Sequence, residues 1–146
     1  MRARLSRLLP LAAALAFLGH ARPAGASVEL GLGADWVEGG SGELNLTLAA
    51  DTWIARHVTL GGRFGVAFFG SSSDLAVPVD ARLRLHLQRI YFEGLVGPWF
   101  HLGGGDLLRV HGALGFGLEV RRLNVGLEVG VVGSATLLGL RLGLPL

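Results

Sequence analysis

Leu123-Asn124-Val125-Gly126-Leu127-Glu128-Val129-Gly130-Val131 alternates without a break: odd positions are aliphatic, even ones polar, charged or glycine. A repeat of two belongs to a β-strand, whose successive side chains leave opposite faces, and not to a helix with its repeat of 3.6. Beyond Gly133-Ser134-Ala135 the alternation resumes. Leu138, Leu140, Leu142, Leu144 and Leu146 share one face, and Gly139, Arg141 and Gly143 the other. Two alternating runs joined by a short cluster of small residues read as a hairpin.

Working back toward the N-terminus, the same pattern recurs in eight segments, at about 28–37, 43–53, 57–69, 75–88, 90–100, 107–121, 123–132 and 136–146. Turn-forming residues separate them, including Glu38-Gly39-Gly40-Ser41-Gly42, Gly70-Ser71-Ser72-Ser73-Asp74 and Leu102-Gly103-Gly104-Gly105-Asp106. One face of every segment is free of charge, as in Leu44, Leu46, Leu48 of the second and Leu108, Val110, Leu114, Phe116, Leu118, Val120 of the sixth. The opposite face carries Glu29, Asp35, Arg63, Asp80, Arg82, Arg84, Glu93, Arg109, Glu119, Arg121, Glu128 and Arg141. Glu38, Glu43, Asp51, Arg56, Asp74, Arg89, Asp106 and Arg122 fall in connectors or at segment ends. Segregation this complete means two different surroundings.

The first 26 residues are of another kind. Arg2, Arg4 and Arg7 form a basic start, Leu8 to Gly19 an uncharged apolar run, and Ala24-Gly25-Ala26 a small-residue cleavage signal. These are the parts of a secretory signal peptide, and the run is too short for a spanning helix. The expected organisation is a signal peptide over 1–26 and one β-barrel domain over 27–146. Losing the signal removes Arg2, Arg4, Arg7 and Arg22, which leaves nine arginines against 11 acidic residues, a net charge of −2. The basicity of the whole chain, pI 10.4, thus sits largely in the leader, and no nucleic-acid partner is expected. The absence of cysteine excludes a disulfide framework and a thiolate metal site.

Half of the chain is hydrophobic (51%), yet no helix-length apolar run follows the leader. Apolar character dispersed over alternating strands fits a barrel in lipid, with the apolar face outward. Volume supports that sense. Ten glycines on the polar face, among them Gly115, Gly117, Gly126, Gly130, Gly139 and Gly143, leave room inside for long Arg and Glu side chains, whereas the Leu, Val and Phe face would overfill so narrow a barrel. The alternative is a soluble periplasmic barrel with the apolar face inward around an apolar ligand. Trp36, Phe68, Trp99 and Phe100 gather near one end of the segments and Trp53 and Tyr91 near the other, which points to aromatic girdles at the two membrane interfaces. An even number of strands places both termini at the periplasmic end.

The chain therefore resembles the small outer-membrane β-barrel proteins of Gram-negative bacteria, the class holding the OmpA transmembrane domain, OmpX and OmpW. Its last residues, Gly139-Leu140-Arg141-Leu142-Gly143-Leu144-Pro145-Leu146, are similar to the C-terminal assembly signal of that class, although Leu146 stands where an aromatic residue is usual. The resemblance implies an eight-stranded antiparallel up-and-down transmembrane barrel in the outer membrane. It also implies outer-membrane lipid and the barrel-assembly machinery as partners, and no particular activity.

Candidate chemistry is sparse. His57, His86, His101 and His111 show no metal-ligand spacing, and His86 and His111 have the parity of the polar face. Ser71, Ser72 and Ser73 read as loop formers, and the Gly103-Gly104-Gly105 run as turn chemistry rather than a phosphate loop. No matched nucleophile and base is visible, so no enzyme, cofactor or metal is expected. The expected site is an interior polar network of Arg63, Arg82, Arg84, Glu93, Glu119, Glu128 and Arg141. A turn at Gln88-Arg89 sets Arg84 opposite Glu93, and one centred on Ser134 and Ala135 sets Glu128 opposite Arg141. Three functions follow: a structural or interaction barrel closed by ion pairs, a narrow passage for ions or small solutes, or a lipid-modifying enzyme with a triad at its rim.

Overall fold

The computed structural model describes residues 25–70, 74–103 and 105–146. The signal peptide expected up to residue 26 lies outside the described residues as far as residue 24, and so do Ser71 to Ser73 and Gly104.

Eight strands form: β1 (Ser27–Val37), β2 (Ser41–Ala55), β3 (Val58–Phe69), β4 (Leu75–Leu87), β5 (Ile90–His101), β6 (Leu108–Val120), β7 (Leu123–Val132) and β8 (Ala135–Pro145). Each pairs antiparallel with its neighbour in sequence, and β1 pairs with β8, closing the barrel. Closure satisfies the backbone groups that an edge strand would leave open. The boundaries differ from those expected by a residue or two, the largest extension being at β2. The end holding Ser27 and Pro145 is called the near end, and the other the far end.

Burial alternates with the pleat in the sense the residue volumes require. Leu30, Leu46, Phe64, Leu83, Phe92, Leu114, Leu127 and Leu140 are exposed on the outside, while Arg63, Asp80, Arg82, Arg84, Glu93, Glu128 and Arg141 are buried inside. The near-end turns are tight: 56–57, 88–89 and 121–122 each join two strands through two residues. Gln88 (φ 59°) and Arg121 (φ 56°) take the left-handed conformation that such turns need.

The register departs from expectation at one hairpin. The turn between β7 and β8 centres on Gly133 and Ser134, with Val132 opposite Ala135, so Glu128 faces Gly139 and Arg141 faces Gly126. Gly133 adopts φ 61°, which a glycine accepts without strain and an alanine does not, and this draws the turn one residue toward the N-terminus. Arg84 and Glu93 do stand directly opposite each other.

At the far end of the interior Val37, Ala67, Ala76, Trp99, Val132 and Leu137 pack into a buried apolar layer, with Phe69 and Ala135 against it. Below it the lumen is polar.

Candidate functional site

Two charged clusters fill the lumen. In the deeper one, Arg63 on β3 donates to Asp80 across the strand pair (Nη2 to Oδ2, 2.8 Å) and across the barrel to Glu128 on β7 (Nη1 to Oε2, 2.7 Å). Arg141 on β8 meets the same carboxylate through Nε (3.0 Å) and Nη2 (2.9 Å), reaching it diagonally despite the shifted register. The other side of Arg141 holds Asp35 of β1 with both terminal nitrogens, one of them 3.0 Å from Oδ2. Asn45 Nδ2 donates to the same carboxylate at 2.6 Å. Glu128 is fully enclosed and receives two guanidiniums, so the cost of desolvating its charge is offset by fixed hydrogen bonds on both oxygens.

His111 and Trp99 tie this cluster to the apolar layer. The imidazole Nδ1 lies 2.8 Å from Asp80 Oδ1, and the Trp99 indole Nε1 donates to the same oxygen at 3.3 Å. The two rings pack with centroids 4.8 Å apart.

The cluster nearer the termini is built from Glu29, Arg82, Arg84, Glu93 and Asp51. Arg84 bridges Glu93 (Nη2 to Oε2, 2.9 Å) and Glu29 (Nη1 to Oε2, 3.1 Å), while Arg82 reaches Glu29 at 2.9 Å, Glu93 at 3.0 Å and Asp51 at 3.6 Å. Asn124 donates a further hydrogen bond to Glu29. The Arg84 guanidinium also lies 4.1 Å above the Tyr91 ring. That ring fits because Gly117 and Gly126 lie beneath it: a β-carbon at Gly117 would stand 2.5 Å from the tyrosine Cζ. Between the clusters, Thr47, Arg63, Arg82, Tyr91, Glu93 and Arg141 surround a void of only about 20 Å³, room for about one water.

At the near-end mouth the lumen opens into a vestibule of about 490 Å³, whose lining includes Trp53, His57, His86, Glu119, Arg121 and Asn124. Three strands bring together a run that the spacing does not show: Glu119 Oε1 lies 2.7 Å from His86 Nδ1, and His86 Nε2 lies 3.2 Å from the Thr59 hydroxyl. The order carboxylate, imidazole, hydroxyl is that of a nucleophile activated by a base. Thr59, however, is 2% exposed, so its hydroxyl is enclosed, while His86 and Glu119 are half-buried at the vestibule and the run links β3, β4 and β6.

Of the expected network, Arg63, Arg82, Arg84, Glu93, Glu128 and Arg141 lie within the two clusters, and Glu119 stands apart at the mouth with His86. The carboxylates Glu29, Asp35, Asp51 and Asp80 join them, as does His111. Strand parity already pointed inward for Glu29, Asp35 and Asp80. Glu43 and Asp51, expected as strand-end charges, instead lie within β2 on the face opposite Leu44 and Leu46, and both are buried inside. Among the described residues, Glu43 is an inward carboxylate that no guanidinium reaches.

The expected girdle needs correcting. Trp36, Phe68 and Phe100 point outward, but Tyr91 and Trp99 are buried in the lumen, 2% and 1% exposed. They share β5 with Glu93, and the pleat sends all three to one side, so position near a strand end does not override parity. Trp53 is exposed at the mouth of the lumen, its ring 4.8 Å from that of His86. His57 is exposed at a near-end turn and His101 is buried beside Phe69 at the far end. Among the described residues no group of three or more His, Cys, Asp or Glu could hold a metal ion.

No protein-family model matches the chain, and no curated protein matches it by sequence. Solved structures do match it in fold. A de novo designed transmembrane β-barrel is similar over 86% of this chain and 98% of its own, with a TM-score of 0.68 at 11% identity. The outer-membrane enzyme PagL matches over 81% of this chain and 99% of its own (TM-score 0.65, 12% identity). Ail, the attachment invasion locus protein of Yersinia pestis, matches over 82% and 95% (TM-score 0.57, 12% identity). Similarity at such identities is similarity of fold: a designed barrel, an enzyme and an attachment protein share it.

Proposed function

We propose that this chain is a small outer-membrane β-barrel with a structural or interaction role, its lumen closed to solutes. The observation that carries this reading is the filling of the lumen. Two ion-paired clusters leave a void of about 20 Å³ between them, and an apolar layer seals the far end. About eight strands leave space for side chains rather than for an aqueous channel. The uncharged outer face supports the membrane setting, since such a belt of Leu, Val and Phe in water would drive association. Solved structures of the same fold support it: PagL is an outer-membrane enzyme and the designed barrel is transmembrane.

No reaction is assigned, because among the described residues the hydroxyl aligned on an imidazole and a carboxylate, that of Thr59, is enclosed. Two measurements test the proposal together. The membrane-fraction protein should migrate differently on gels before and after boiling, as folded barrels do, and planar bilayers containing it should show no steady current. Recovery in the soluble periplasm would refute the membrane setting, and a large stable single-channel current would refute the closed lumen.

A further inference from the structure

The charges of the connectors are sorted by end, while the half-buried Arg109 lies at the far end of β6. Each of the three near-end turns carries arginine and no acid: Arg56 with His57, Arg89 with Gln88, and Arg121 with Arg122, all of them exposed. The far-end connectors carry Glu38, Asp74 and Asp106. Among the described residues none of the four near-end arginines belongs to an ion pair, whereas Arg63, Arg82, Arg84 and Arg141 are all spent inside.

Their height on the barrel matters as much as their sign. Leu87 and Ile90 flank the turn at 88–89, and Val120 and Leu123 that at 121–122. Ile54 precedes Arg56 by two residues. All five aliphatic side chains are exposed on the outer wall. The arginines therefore begin where the apolar wall ends, with no polar spacer. A two-residue turn does not carry them far beyond that level, and it offers too little surface for a protein partner. A guanidinium at the edge of an apolar belt, on a stem that can itself lie along that belt, meets the layer of lipid phosphates.

We infer that Arg56, Arg89 and Arg122, one from each near-end turn, form a basic collar that binds the phosphate headgroups of anionic phospholipids in the leaflet at the near end, while Arg121 turns into the vestibule. This deepens the proposed function and rests on its reading that the outer wall faces lipid. The collar gives the barrel a preference for one leaflet and one depth, because the far end, with its acidic connectors, gains nothing from the same headgroups.

The test uses protein purified from membranes, unfolded in urea and refolded into vesicles of phosphatidylcholine alone or of an equimolar mixture with phosphatidylglycerol. The heat-modifiable band measures the folded fraction. Folding should favour the anionic vesicles by on the order of tenfold at low salt, and less as salt screens the charges. The variant Arg56→Gln/Arg89→Gln/Arg122→Gln should lose that preference. The matching triple Arg→Lys variant should keep it, and Glu38→Gln/Asp106→Asn should leave it unchanged. Equal folding of the native protein in both vesicles would overturn the inference, and so would a preference that survives the Gln variant. Loss in the Lys variant as well would assign the effect to turn geometry and overturn it too. Arginine-dependent sedimentation with isolated peptidoglycan, without a lipid preference, would replace lipid by the cell wall. No heat-modifiable band in any vesicle would instead refute the membrane-barrel reading itself.

Discussion

Arg141→Met removes a cation that two buried carboxylates share, and the structure says which of them suffers. Glu128 loses two hydrogen bonds, at 3.0 and 2.9 Å, but keeps Arg63 at 2.7 Å. Asp35 loses both guanidinium contacts and keeps only the Asn45 amide. Methionine replaces much of the volume, so the cost is mainly that of a stranded charge, about 3–5 kcal/mol for a buried pair broken on one side. If Asp35 bears most of it, neutralising that residue in the double variant Arg141→Met/Asp35→Asn should recover about 2 kcal/mol. The double variant Arg141→Met/Glu128→Gln should recover less, since Glu128 still has a partner in Arg63 and its loss leaves that arginine short. Urea titrations of the vesicle-folded barrels measure all three. A single-variant cost below about 1 kcal/mol, the range of an exposed pair, would refute the reasoning. A larger recovery from Glu128→Gln than from Asp35→Asn would show that the load is shared the other way.

Two further predictions use the same titration. Leu127→Arg places a charge on the outer wall midway along β7 and should cost about 2–4 kcal/mol if that wall meets lipid; no cost would mean that it meets water. Glycines should divide by face. A β-carbon at outward Gly112 meets nothing within 4 Å, so Gly112→Ala should be near neutral, whereas at inward Gly130 it would meet the Gly112 carbonyl and stand 2.8 Å from the Ala113 Cα. Gly130→Ser, mild if the lumen were merely roomy, should therefore cost about 1–3 kcal/mol, and equal effects at the two positions would refute the close approach.

The alternation from Leu123 to Val131 made the fold legible because parity is local and eight segments repeat it. Parity also marked six of the seven network residues that lie in the clusters, and the pair Arg84 and Glu93 followed from a turn of two residues. Where the reading failed, a longer-range fact decided. The shift of the last hairpin depends on a left-handed Gly133, which composition alone does not distinguish from its neighbours Ser134 and Ala135. Glu43 and Asp51 became interior residues because β2 extends over Ser41–Ala55 to match its neighbours. Contacts across the barrel, such as Arg63 with Glu128 or His86 with Glu119, join strands that are not sequence neighbours. They depend on how far the closed sheet is staggered, and a strand-by-strand reading contains no such information.

On the proposed reading of a closed lumen, its two kinds of closure act in series, which determines what would open it. The ionic clusters obstruct the middle with charges fixed in hydrogen bonds, and the layer around Trp99 obstructs the far end by excluding water. Arg141→Ala alone leaves that apolar layer intact, so it should destabilise the barrel without producing a current. Trp99→Ala alone empties the centre of the apolar layer and frees an acceptor on Asp80, yet Arg63 and Arg141 still span the lumen below it. It too should stay silent. The variant carrying both substitutions removes one element of each barrier, and it is the one expected to show a steady current in planar bilayers. A current from Trp99→Ala by itself would mean that the ion pairs are no barrier to solutes, and that the polar interior is closed only by its apolar end. Silence from a folded double variant would mean that the cluster of Glu29, Arg82, Arg84 and Glu93 suffices to close the barrel, and would move the decisive obstruction to the near end.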